Sequence, residues 1–141
     1  MTRKVYEVGY QLAKSERYVA SLMVDPAMLL IDTRLKPSSW RPEWKEDALR
    51  KKFGARYRTA GQFLGNLNYQ GGPIVLKNPE AGIAGLVRYL NEGHDLVLLC
   101  LCDDYAVCHR HVIVERLLAQ MPAVEIVHHM AAIRAAQATL L

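Results

Sequence analysis

The chain has 141 residues, 51% of them apolar and 23% charged, with a formal net charge of +4. That length suits a single α/β domain over residues 1–141 with one real core and is too short for two ordinary domains. No apolar run reaches the roughly 18 residues of a membrane helix, and the start of the chain lacks an apolar signal-peptide core, so a cytoplasmic protein with no membrane attachment is expected.

Val5 to Val8 alternates in polarity and stops at Gly9-Tyr10, as a first strand would. Ser15 is the expected cap of a helix with Tyr18, Val19, Leu22 and Met23 on one side, and Asp25-Pro26 ends it. Met28 to Ile31 is a second apolar run, closed by Asp32-Thr33-Arg34. A proline-containing loop leads to a helix starting near Pro42, with Trp44, Ala48, Leu49 and Phe53 inward and Gly54 as its stop. Arg56 to Arg58 suits a short strand, and the glycine-rich segment from Ala60 to Pro73 suits a binding loop or lid. Ile74 to Leu76 fits a brief strand or a packed loop equally well. Asn78-Pro79-Glu80 opens a helix whose apolar face is Ile83, Leu86, Val87 and Leu90, stopped at Gly93.

The longest apolar run follows, Leu96 to Cys102, and reads as a central strand buried on both faces. Past Asp103-Asp104 the apolar spacing turns helical at Val114, Leu117, Leu118 and Met121, with Cys108-His109-Arg110 where strand gives way to helix. Pro122 breaks that helix. Val124 to Val127 forms a last strand ending at His128-His129, and the alanine-rich tail from about residue 131 favours a helix. Alternating strands and helices predict a three-layer α/β sandwich with a mainly parallel, Rossmann-like central sheet.

In such a sheet the strand endings share one edge, where ligands bind. Gly9-Tyr10, Asp32-Arg34, Cys102-Asp104 and His128-His129 would then converge. Cys108, at a helix N-terminus beside Arg110, is the expected nucleophile or redox thiol, because both neighbours favour the thiolate. Asp32 and His109 are the expected proton carriers. Arg34 and Arg110 would bind an anion through bidentate contacts, with Cys100 and His128 as further ligand contacts. The three cysteines all lie within nine positions, which fits a reducing compartment better than a disulfide scaffold. Their C-x-C-x₅-C-H spacing is not that of a paired zinc site, so no metal is expected. The sixth residue after Cys102 is Cys108 rather than arginine, which separates this loop from those of thiol phosphatases.

These motifs resemble one bacterial family, catalogued as domain of unknown function 488. The resemblance is carried by Val8-Gly9-Tyr10, by Leu30-Ile31-Asp32-Thr33-Arg34 with Pro37 and Ser39, by Leu64-Gly65, and by Leu98-Leu99-Cys100 with Cys108-His109-Arg110. It implies a compact cytoplasmic α/β domain in which Asp32, Arg34, Cys100, Cys108, His109 and Arg110 belong together. Cys102, where members often carry an acid, and the basic loop around Trp40 depart from the family pattern.

The leading expectation is an enzyme acting on an anionic small molecule or nucleotide-like group at the carboxyl edge of the sheet, with its cofactor, substrate and oligomeric state left open. The alternative is a nucleic-acid-binding module using the basic segment 36–58 with Trp40 and Trp44, since a basic stretch neutralises phosphates. A third reading keeps the cysteines in the core and makes the tail a partner helix.

Overall fold

Apolar runs with no polar alternation have nowhere to go but the middle of a sheet covered on both faces. In the computed structural model, which describes residues 2–12, 14–102 and 108–129, they pair with one another. Five strands form one sheet: β1 (Lys4–Gly9), β2 (Met28–Asp32), β3 (Tyr57–Thr59), β4 (Asp95–Cys100) and β5 (Glu125–His128). Their order is β3-β2-β4-β1-β5, and every pairing is parallel. β4 lies at the centre, with Leu98 level with Glu7 of β1 on one side and Ile31 of β2 on the other. A strand paired along both edges and covered on both faces exposes no side chain, which is why its sequence carries no alternation.

The helices are α1 (Ser15–Leu22), α2 (Glu46–Phe53), α3 (Gly61–Leu64), α4 (Pro79–Asn91) and α5 (His109–Gln120). Alternate residues of each strand point to opposite faces, and two apolar clusters result. Leu29, Ile31, Leu96 and Leu98 meet Leu64, Ile83, Leu86, Leu90, Ile113 and Leu117 from α3, α4 and α5. On the other face Val8, Leu30, Val97 and Leu99 meet Val19, Met23, Trp44 and Leu49, from α1, α2 and the turn before α2. The architecture is thus the expected three-layer α/β sandwich, with a sheet that is parallel throughout. The helix after β4 covers one face, while those after β1 and β2 cover the other. Chains diverging in this way leave a crevice at the carboxyl ends of the strands.

Several local expectations shift. Ser15 is the first helical residue of α1 rather than its cap; Lys14 holds the cap position at φ 62°, and the Ser15 hydroxyl donates to the Tyr10 carbonyl at 2.6 Å. Pro42–Trp44 forms a 3-10 turn, and Lys45, extended at ψ 149°, separates it from α2. The short α3 interrupts the loop from Ala60, and Leu76 joins Asn66 in an isolated antiparallel bridge instead of a strand. β4 ends at Cys100, two residues before the apolar run does. Asn78 caps α4 as expected, accepting from the Ala81 N–H, with Pro79 at the first helical position. The tail helix and Asp103-Asp104 fall outside the described residues. No helix among the described residues is long and apolar enough to cross a membrane.

Candidate functional site

Asp32 ends β2 on the face of α2, fully buried, and its two oxygens are fully engaged. Oδ1 accepts from the backbone N–H of Arg34 at 3.2 Å and from its Nε at 2.8 Å. Oδ2 accepts from Arg34 Nη2 at 2.6 Å and from the Tyr57 hydroxyl. A carboxylate so saturated positions Arg34 and has no oxygen to spare as a proton carrier. Arg34 is only 6% exposed. It also donates Nη1 to the Ser38 carbonyl at 3.3 Å and lies over the Tyr10 ring, 5.4 Å from its centroid. A guanidinium has five N–H groups, so two remain for a ligand. Burial pushes the Tyr57 phenol up, and the adjacent Asp32 carboxylate reinforces the shift, which keeps the hydroxyl a donor.

Cys100 ends β4 on the opposite face, Cys102 follows, and Cys108 is the N-cap of α5. Their three sulfur atoms all lie within 4.8 Å of one another. His109 closes the group, its Nδ1 3.5 Å from Cys100 Sγ and 3.7 Å from Cys108 Sγ. Its Nε2 lies 3.0 Å from the Thr33 carbonyl. A carbonyl only accepts, so Nε2 carries a proton, and Nδ1 is the nitrogen that faces the sulfurs. Thr33 is itself pinned to β4, since its N–H and Oγ1 both donate to the Leu99 carbonyl, at 3.0 and 2.9 Å. The end of β2 thereby fixes the imidazole that faces the end of β4.

Three thiols at this separation do not ionise alike. Hydrogen bonds from Cys100 and Cys108 pull the Cys102 thiol far below its ordinary range, against partial burial and with help from the Arg110 charge. The partners pay the converse: Cys100, hydrogen-bonded to Cys102 and buried, is pushed up to about 11. Cys108 is driven up further by the same contacts. These shifts favour ionisation at half-buried Cys102 over buried Cys108, whereas the helix-end argument favours Cys108.

Arg110 is also placed differently from its expectation. It is buried, its Nε stands 2.9 Å from Glu7 Oε2, and its Nη1 donates to the Cys102 carbonyl at 2.9 Å. The Nε–H does not point at the carboxylate oxygen, so the close contact is an ion pair rather than a hydrogen bond. Arg110 thus ties the Cys102 backbone to Glu7 of β1 and does not line the cavity described next. Gly9 makes room for this tie, since a Cβ there would stand 1.6 Å from the Cys102 carbonyl oxygen. His128 lies outside the cavity too, its Nδ1 3.4 Å from Glu7 Oε1 at the β5 edge.

Arg34, Lys36, Tyr10, Cys102, Cys108 and His109 line one cavity of about 470 Å³ at the carboxyl edge, flanked by the loop around Tyr69. Of the expected site residues, Arg34, Cys100, Cys108 and His109 come together here. Asp32 supports from behind, and Arg110 and His128 belong to the Glu7 cluster. Glu7, Thr33 and Tyr57 escaped the sequence reading. Only Glu7 left a signal there, an acid on the inward face of a buried strand. The nucleic-acid alternative loses half of its aromatic pair: Trp40 is 80% exposed, but Trp44 is 2% exposed and stacked on Tyr10 at 5.2 Å. Arg56 is likewise occupied, donating to the Met23 and Asp25 carbonyls.

No curated protein and no solved structure matches the chain. Residues 73–121, which include α4, β4 and α5, match the family model described as the active DUF488-N3 subclade. That stretch, about a third of the chain, holds all three cysteines and His109.

Proposed function

We propose that this protein is an enzyme in which the Cys102 thiolate attacks an electrophilic centre of a small molecule whose anionic group is held by Arg34 and Lys36. The observation that carries this reading is the meeting, in one cavity, of a half-buried thiol clustered with two others and two cations reached from a different strand; its neighbours lower the Cys102 thiol, which agrees with a nucleophile. In the covalent step a bond from sulfur to the electrophilic atom forms as the bond to the leaving group breaks, the leaving group taking the electron pair. Hydrolysis then releases the second product and restores the thiolate. Cys100 and Cys108 hold the sulfur negative between turnovers, and Asp32 holds Arg34. A volume of about 470 Å³ suits a metabolite or nucleotide-sized group. The word active in the description of the matched subclade agrees with an enzyme.

Alkylation with two reagents of equal size and different charge tests this. Iodoacetate should gain on iodoacetamide at Cys102 several-fold relative to a free thiol, and more so at low salt. Lys36→Gln, at an exposed position, should reduce the gain. An iodoacetate preference no greater than that of a free thiol would remove the anion-binding half of the proposal.

A further inference from the structure

The spacing C-x-C-x₅-C-H argues against a zinc site only while the ligands are imagined along one loop. In the fold they arrive from a strand end, the residues after it and a helix start, and they converge. The geometry points to a site for one thiophilic divalent cation, of the zinc class, held by Cys100, Cys102, Cys108 and His109. With metal–sulfur bonds of about 2.3 Å and a metal–nitrogen bond of about 2.0–2.1 Å, a tetrahedral site has sulfur–nitrogen edges of about 3.6 Å and sulfur–sulfur edges of about 3.8 Å. The observed sulfur–nitrogen distances are 3.5 and 3.7 Å, and the sulfurs all fall within 4.8 Å. Two of the three sulfur–nitrogen edges, those from Cys100 and Cys108, are thus already at coordination length, and drawing the sulfurs together would bring Cys102 onto the same ion.

Two further observations bear on the choice of ligand. His109 is already oriented as a metal ligand needs, with Nε2–H on a backbone carbonyl and Nδ1 turned to the sulfurs, the usual outer-shell support of a ligating histidine. Cys100, Cys108 and His109 are buried and, with half-buried Cys102, line the cavity, from which a cation would reach them. Soft thiolates with one imidazole select zinc-class ions over magnesium or calcium, which want oxygen.

This inference rests on the proposed thiolate role for its regulatory meaning, though not for the site itself: a cation on Cys102 would withdraw the nucleophile. Titrating the metal-free, reduced protein with cobalt(II) tests the site directly. Expected are one equivalent bound, intense thiolate-to-cobalt charge-transfer absorption, and the visible bands of a tetrahedral ion, all displaced by zinc. Cys102→Ser, at the most exposed of the three positions, should weaken the charge-transfer band. His109→Gln should keep that band, shift the visible bands and lower affinity by about 10- to 100-fold. Zinc-loaded protein should resist alkylation at Cys102. A weak octahedral spectrum without charge transfer, or a spectrum unchanged by Cys102→Ser, would overturn the site. Reactivity of Cys102 in the metal-free protein is measured separately, so loss of the metal site and loss of the nucleophile give different results.

Discussion

Arg34 is held so firmly that its neighbours, more than its own charge, decide what it can do. Burial works against the guanidinium, but the Asp32 bonds outweigh it and keep the charge in place. Tyr57→Phe would leave Asp32 Oδ2 with one donor fewer and should cost about 1–3 kcal/mol of stability, read as a lower urea midpoint. Asp32→Asn should cost more, about 3–5 kcal/mol, because Arg34 would remain buried without its counter-charge. Equal midpoints for wild type and Tyr57→Phe would mean that the phenol contributes nothing to the pair. The Asp32–Arg34 pairing was legible in the sequence because residues two apart on a strand end face the same way. Tyr57 was not, since it reaches Asp32 only through the parallel pairing of β3 with β2. The choice of Cys102 over Cys108 depends on three sulfurs meeting in space, which no spacing rule reports.

At the level of elements, glycines decide how closely the strand endings approach. Gly9→Ala would drive a Cβ into the Cys102 carbonyl and toward Arg110 Nη1, both held by the sheet. The expected cost is about 2–4 kcal/mol, with altered Cys102 labelling as β4 shifts away from β1. Gly85, within α4, has open space where its Cβ would be, so Gly85→Ala should stabilise the protein by about 0.5–1 kcal/mol. Thermal unfolding of the two variants checks the contrast; a Gly9→Ala protein as stable as wild type would show that the contact relaxes freely. Strands and long helices were legible because their periodicities are simple. The break at Lys45 and the short α3 were not, because tertiary contacts set them: Glu46 N–H bonds the Pro37 carbonyl, and Asn78 N–H bonds the Phe63 carbonyl that ends α3.

Over the whole molecule, a parallel sheet gathers endings that lie far apart in the chain, and the polar groups sort into two assemblies. One surrounds the sulfurs and Arg34; the other joins Glu7, Arg110, His128 and His129. His129 is buried and stacked on Tyr18, with ring centroids 4.4 Å apart, and burial, aided by Arg110, lowers it to about 4. The unfolded state takes up that proton near pH 6.5 and the folded state resists until about 4, so stability should fall as pH drops through this window. The loss should reach about 2 kcal/mol by pH 5 and should be much reduced in His129→Phe, which keeps the stacking; urea unfolding at pH 7.5 and 5 compares the two. Convergence at the carboxyl edge was legible from the strand endings, whereas the division into two assemblies depends on which face each side chain takes. The most direct test of the whole account is the rate of alkylation of each cysteine in the metal-free protein, resolved by mass spectrometry from pH 5 to 9. Cys102 should label first, at a rate nearly independent of pH across the neutral range, with Cys100 and Cys108 slow throughout. Cys108 labelling first, or Cys102 following the profile of an ordinary thiol near pH 8.5, would contradict it.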